Sequence, residues 1–269
     1  MQTADSMVNL GRYPIDDLAR PEAVRLVADS RRSFAESGLC MLPDFIRTEA
    51  LASLVAETES VKDRAYFCES THNAYLEPDD PAYPPDHPRR RRDHSFVGSI
   101  AFDLFPEGAA LRRLYDWDPL KDFIAAVLDK PVLYRFADPL GACSVNVFRD
   151  GGRHAWHFDE AEFTVTLMLQ APEHGGAFEY VPGIRGRDDE YEIVGDALDG
   201  DRDRVVELPF TPGTLLIFGG RNTLHRVTEV AGERLRLVPV LCYSVVPDLM
   251  NSAAVRKLFW GRTGEEANV

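Results

Sequence analysis

The stretch HAWHFDEAEF, residues 154–163, sets His157 and Asp159 two positions apart. In a strand, residues at that spacing point to the same side. An imidazole and a carboxylate then reach into one space, while Phe158 turns the other way. A mononuclear iron that activates oxygen needs two imidazoles and one carboxylate on one side, with the other side open to reactants. The third ligand must come from elsewhere among seven histidines. His72, His87 and His94 lie in the N-terminal half, and His174, in PEHGG, reads as a turn. His225 follows TPGTLLIFGGRNTL and opens HRVTEV at a strand boundary, which makes it the best candidate. A single histidine beside a strand is ordinarily a satisfied surface or core group. The combination with the paired Asp, rather than any one residue, points to a metal.

The elements that must position these groups differ between the two parts of the chain. PEAVRLVADSRRSFAESG reads as a helix with Val24, Val27 and Phe34 near helical spacing and Gly38 as its stop. LCMLPDF reads as a short strand. RTEALASLVAETESVKDRAYF reads as a helix with Thr48 as candidate cap and Leu51, Leu54 and Val55 on one face. LEPDDPAYPPDHPRRRRDH has five prolines and no periodicity, so it is a loop; a loop of that length inside a domain is often functional. ALRRLYDWDPLKDFIAAVL returns to helix. From Pro131 onward the runs PVLYRF, ACSVNVF, EFTVTLMLQ, GAFEYV, RVVELPF, GTLLIF, HRVTEV and RLVPVLCYSV are short, β-branched and aromatic, punctuated by Gly, Pro or Asp. Such a series makes a sandwich or barrel, with DDEYEIVGDALDG as one helical interruption. The expected architecture is α+β in a single domain over 1–269: a helical layer to about residue 130, a β core over about 131–247 and a C-terminal helix over about 251–260.

With 269 residues, 45% of them hydrophobic, the chain can bury one substantial core. Its net charge of −14 disfavours nucleic acid and anionic membrane surfaces as partners. Cys40, Cys68, Cys143 and Cys242 are far apart and form no C-x-x-C pair. Free thiols in a reducing compartment are expected, and the N-terminal residues lack the pattern of a signal peptide. No run of roughly 18 apolar residues offers a membrane span. The expected location is the cytoplasm.

HFD at 157–159, PGTLLIF at 212–218 and HRVTEVAGERLRL at 225–237 resemble the iron(II)/2-oxoglutarate-dependent oxygenases, over roughly Gly38 to Ser244. The resemblance implies a double-stranded β-helix, a relative of the jelly roll. It also implies Fe(II), 2-oxoglutarate and O2 as cofactor and cosubstrates, with succinate and CO2 formed as hydrogen is taken from an unactivated C–H and hydroxyl returned. A basic residue on the strand after the second His would hold the distal carboxylate of 2-oxoglutarate. Arg234 and Arg236 share strand parity, so alternation does not separate them; Arg236, flanked by apolar residues, is favoured, and arginine suits a carboxylate by its planar fork. Asn146 and Tyr134 are weaker candidates for hydrogen bonds to the cosubstrate. A narrower resemblance, carried by WHFDEAEFTVTLMLQAPEHGGAFEYVP, GRNTLHRVTEV and LFWGR, is to the group of free-amino-acid radical halogenases and their hydroxylase relatives. The halogenases have Gly or Ala where this chain has Asp159, and that departure implies hydroxylation.

A free amino acid is therefore the expected substrate, and four residues are candidates to bind it. His154 is either a turn residue or part of the pocket lining. Glu160 is either a solvated acid or a partner for a substrate amine. The run RRRR at 89–92 is either a solvated face or a source of one arginine, Arg92 the candidate, for a substrate carboxylate beneath a closing loop. Trp260 is either core or an aromatic cover. The same chemistry could end in desaturation or ring closure, or act on a peptidyl side chain. A cupin-like metal protein is the rival outside the class, but such proteins commonly carry more His and a Glu in the first motif.

Overall fold

The computed structural model describes residues 3–264. It begins with α1 (Ala4–Met7), α2 (Pro21–Ser37), β1 (Leu39–Leu42) and α3 (Thr48–Val61). Pro21 opens α2, where a missing N–H costs nothing, and Gly38 closes it at φ 72°. Of the expected face, Val27 and Phe34 are partly buried against the core, with Ala23 and Ser30 buried beside them in the helix, whereas Val24 is 53% exposed. Thr48 does not cap α3; Arg47 occupies the cap position, with no side-chain hydrogen bond.

β2 (Tyr66–His72) and β3 (Asp93–Ile100) correct the expectation of a helical layer to about residue 130 with LCMLPDF as its one strand. They pair antiparallel along their full length. β2 is an edge strand whose sequence, YFCESTH, is half-exposed, and the 73–92 loop separates it from its partner. Neither feature leaves a strong strand signal. α4 (Ala110–Tyr115) and α5 (Asp118–Val127) replace the single expected helix, since Pro119 cannot sit in a helix interior and restarts it.

The remaining elements are β4 (Tyr134–Arg135), β5 (Cys143–Phe148), β6 (His154–His157), β7 (Thr164–Leu167), β8 (His174–Gly175), β9 (Phe178–Val181), α6 (Glu190–Asp199), β10 (Val206–Leu208), β11 (Leu215–Phe218), β12 (Leu224–Val227), β13 (Val230–Ala231), β14 (Arg236–Leu241), β15 (Tyr243–Ser244) and α7 (Ala253–Trp260). They follow the expected series except that His174, expected in a turn, lies in the two-residue β8 paired with β13. They build a large sheet in the order β1-β11-β7-β14-β5-β3-β2 and a smaller one in the order β10-β9-β12-β6. These are the two sheets of a double-stranded β-helix.

Strand alternation sorts the apolar residues into layers. Val145, Val147, Val165, Ile217 and Leu237 of the large sheet pack with Leu111, Leu114, Phe123 and Ile124 of the helices. The opposite face of that sheet, with Phe148, Leu216, Phe218 and Val238, packs with Phe178, Tyr180 and Val227 of the small sheet. Trp156, Phe158 and Leu224 cover the far side of the small sheet, against Tyr75 and the α6 residues Ile193 and Val194. Among the described residues, no helix is long and apolar enough to cross a membrane.

Candidate metal centre

β6 and β12 are hydrogen-bonded neighbours, and His157 and His225 are direct cross-strand partners. Their ring centroids lie 4.2 Å apart. Both rings are oriented by local backbone. His157 Nδ1 lies 2.8 Å from the Ala155 carbonyl and His225 Nδ1 lies 2.9 Å from the Thr223 carbonyl. A carbonyl can only accept, so each Nδ1 donates, and each Nε2 is left facing the space between the strands. Asp159 lies just beyond β6. Its Oδ1 is 3.4 Å from each of the two Nε2 atoms, and the ligand atoms of the three residues lie within 4.8 Å of one another. Trp156 and Phe158 point into the layer on the far side, as the spacing predicts.

The position of Asp159 has three causes. Its N–H donates to the Gly220 carbonyl at 3.0 Å. Its Oδ2 accepts the Thr164 hydroxyl at 2.6 Å. Gly220 leaves room for the carboxylate, since a Cβ there would stand 2.0 Å from Oδ2. Burial alone would raise the Asp159 carboxyl, but His225 and His157 together hold it well below the usual carboxylate range. Burial, then the charge of His225, lowers His157. With their Nδ1 atoms spent on carbonyls, both rings aim Nε2 at the Asp159 carboxylate. Two imidazole nitrogens and a carboxylate oxygen thus converge in one buried place, a donor set that a divalent first-row metal fits. Burial, followed by the charges of Asp138 and Asp159, pushes the nearby Cys242 thiol up to about 12, which leaves it protonated and inert.

Arg236 is 2% exposed. It shares a face of the large sheet with its cross-strand partner Phe148, and its guanidinium lies over the Phe148 ring at 5.1 Å. Nε donates to the Gly176 carbonyl at 2.9 Å. Among the described residues no acid pairs with it, and burial alone pushes it down to about 9. Arg234 is exposed and holds the carbonyls of Ala171 and Pro172, each at 2.9 Å. The alternation argument left these two arginines level; burial separates them.

The other candidates scatter. Asn146 pairs with Val238 and Ser99, on the face that carries Arg236. Tyr134 is not on that face; it is 38% exposed on the two-stranded ribbon of β4 and β15. The His154 ring stacks on His157 at 3.9 Å. Burial, then the charges of His157, His72 and His225, holds it well below the usual histidine value, so it is neutral. Glu160 is exposed, and its carbonyl receives Arg221. Arg92 is exposed and donates to the Thr71 carbonyl. Its three neighbours are engaged elsewhere: Arg89 with Glu77 and Tyr191, Arg90 with Asp79, and Arg91 with Asp199. Trp260 is buried and donates to Ser99 Oγ at 2.9 Å, lining a cavity of about 290 Å³ with Tyr66 and Asp103.

Sequence reasoning missed Thr164, Gly220 and His72. The Thr164 hydroxyl had no marker beyond its position after the HFD turn. Gly220, in IFGG, was legible as glycine but not as space for a carboxylate. His72 was set aside because it lies in a different part of the chain, yet its ring centroid is 6.0 Å from that of His157.

Residues 23–258 match the protein family described as HalD: Halogenase D. No curated protein matches the chain. An oxidoreductase of the 2OG-Fe(II) oxygenase family from Burkholderia pseudomallei is 18% identical, with a TM-score of 0.50 over 81% of this chain and 90% of that one. HygX from Streptomyces hygroscopicus, solved with nickel and 2-oxoglutarate bound, is 14% identical, with a TM-score of 0.54 over 80% and 86% of the two chains. The α-ketoglutarate-dependent epimerase SnoN from nogalamycin biosynthesis is 14% identical, with a TM-score of 0.58 over 82% and 83%. At these identities the likeness to the solved structures is one of fold.

Proposed function

The chain belongs to the Halogenase D family, and from that premise we propose that it is an iron(II)- and 2-oxoglutarate-dependent dioxygenase that hydroxylates an unactivated C–H of a free amino acid. The observation that carries this reading is the convergence of the ligand atoms of His157, Asp159 and His225 within 4.8 Å of one another, with both Nδ1 atoms spent on backbone carbonyls. These three residues would hold the metal. When bound, iron with 2-oxoglutarate and O2 supplies an oxidant able to take hydrogen from an unactivated C–H.

The protein's own share is position and charge. Thr164 and the Gly220 carbonyl fix Asp159, so the carboxylate keeps its place whether or not a cation is present. Arg236, buried without an acid, supplies the charge for the distal carboxylate of 2-oxoglutarate. Neutral His154, stacked beside His157, offers one donor and one acceptor to a polar group of the substrate. Asp159 fills the third protein position on the metal, so the protein vacates none for chloride; hydroxylation follows rather than halogenation. The four free cysteines fit a reducing cytoplasm, and one family match over residues 23–258 fits a single domain.

The test is to incubate the protein with iron(II), ascorbate, 2-oxoglutarate and pooled amino acids, with and without chloride. Succinate should form, and one amino acid should gain an oxygen. His225→Ala should lose metal binding and succinate formation together. Succinate yield indifferent to iron, or full turnover in that variant, sinks the reading. Loss of two hydrogens without gain of oxygen would replace hydroxylation by desaturation or ring closure. Chlorination by the wild-type protein overturns the inference from Asp159.

A further inference from the structure

A run of hydrogen bonds connects the 73–92 loop to the metal-ligand pair through His72, a residue with no part in the reading above. Chemistry fixes the direction of each bond. His72 Nδ1 lies 3.1 Å from the Asn73 carbonyl, which can only accept, so Nδ1 carries the ring proton. His72 Nε2 is therefore an acceptor, and the Ser95 hydroxyl, 2.7 Å away, donates to it. That turns the lone pairs of Ser95 Oγ toward the Ala155 N–H, which donates at 2.9 Å. The Ala155 carbonyl in turn takes Nδ1–H of His157 at 2.8 Å. Ala155 is thus held at its N–H by Ser95, while its carbonyl orients His157.

The loop side of this run is rigid. Asn73 is buried. Its side-chain amide donates to the carbonyls of Glu77 and Arg89 at 2.9 and 2.6 Å, and its side-chain oxygen accepts the N–H groups of Tyr75 and Glu77. Phe158, the residue between the two ligands of the HFD stretch, donates its N–H to the Ala74 carbonyl at 2.8 Å. The His72 ring also stands edge-on to His154 and His157, at 5.9 and 6.0 Å. With both ring nitrogens engaged, His72 has none left for a metal or substrate.

We propose that His72 is a positioning residue: its Nε2 acceptor holds the Ser95 hydroxyl, which holds the Ala155 peptide that orients His157 toward the metal. This rests on His157 being a metal ligand. A ring needed only for packing would require the shape of His72 but not an acceptor at Nε2.

Two variants separate those cases. Glutamine carries an amide oxygen near the Nε2 position and can accept from Ser95. Asparagine is one bond shorter; it keeps a donor for Asn73 but does not reach Ser95. The measurements are Fe(II) and Co(II) dissociation constants and the visible spectrum of the Co(II) protein. Loss of an outer hydrogen-bonding partner costs about tenfold or more in metal affinity. His72→Asn should show that loss and altered Co(II) bands, and His72→Gln should stay near the wild type on both. Equal behaviour of the two variants, whether both intact or both impaired, overturns the positioning role, as does a loss confined to His72→Gln. Wild-type protein that binds neither metal sinks instead the metal reading beneath it, and the proposal with it.

Discussion

At the His157 end of the inner surface, each ligand already has a protein partner that fixes it. The imidazole protons go to backbone carbonyls, and the Asp159 carboxylate takes a hydroxyl and sits against Gly220. At the Arg236 end a guanidinium is buried beside Phe148 and Phe210 with one carbonyl as its hydrogen-bond partner and, among the described residues, no acid. The first region is held in place by the protein's own groups. The second carries a charge that no acid among the described residues balances. A charge buried without a partner carries a desolvation cost that an apolar side chain of similar volume does not. On the proposed reading Arg236 trades that stability for cosubstrate binding, whereas the triad's surroundings serve both.

Arg236→Met tests that contrast most strongly. Removing one partner of a desolvated, hydrogen-bonded charge pair costs about 2–5 kcal/mol, so 2-oxoglutarate affinity should fall at least tenfold, and by far more at the upper end. The thermal midpoint of the ligand-free protein should stay level or rise. A variant that loses stability along with cosubstrate would show that the arginine also supports the fold, and the two ends would not differ as described.

A smaller effect tests the other region. Gly220→Ala places a methyl 2.0 Å from Asp159 Oδ2, whereas the Cβ of Gly219→Ala would meet the Phe34 ring at 3.6 Å and the Gly38 and Glu162 carbonyls at 3.8 and 4.0 Å, all ordinary contact distances. The first should weaken Fe(II) binding about tenfold, the scale expected for disturbing a ligand's outer contacts; the second should leave it unchanged. Equal metal affinity in these two adjacent variants would mean that Asp159 relaxes freely, and that the region is less organised than its hydrogen bonds imply.

The same contrast explains what the sequence disclosed. The triad was legible as a pattern, from the spacing of His157 and Asp159 and from His225 opening a later strand; the structure pairs the two histidines across β6 and β12 and sets Asp159 just past the end of β6. The strand series from residue 131 was legible from its punctuation. The β2–β3 hairpin was not, since its strands flank a long Pro-rich loop and one of them is a half-exposed edge. That omission hid His72 and Ser95, which act only through the hairpin. Arg234 and Arg236 have the same type, parity and neighbourhood. What distinguishes them is that Arg236 lies within β14, whereas Arg234 precedes it on the exposed connection. The arginine run at 89–92 read as a possible substrate clamp, but three of its members are spent on Glu77, Asp79 and Asp199.

The smallest expected effect is in the pH dependence of stability without metal, where the two ends should respond in separate windows. His72, His154 and His157 all lie below the ordinary histidine value, in each case chiefly through burial. Below about pH 6.5 the unfolded chain takes up protons that these rings refuse. The stability they contribute is thus fully present above that pH and is lost as the pH falls toward their folded values. Asp159 adds to the loss only in stronger acid, because it is held below the usual carboxylate range. Arg236 has the same sign in a separate, alkaline window. Depressed to about 9 by burial, it gives up its proton in the folded protein before it does so unfolded, so stability recovers as the pH rises past that value. Denaturant midpoints measured with chelator present should therefore decline from pH 7 to 5.5, a range above most carboxylate titration. They should also show a shallow gain above about pH 9 that Arg236→Met abolishes without touching the acid limb. His154→Gln should flatten the acid limb and leave the alkaline one alone. A flat profile between pH 7 and 5.5 would mean that the imidazoles accept protons in place, and the pre-organised region would then be no better satisfied than the arginine it is contrasted with.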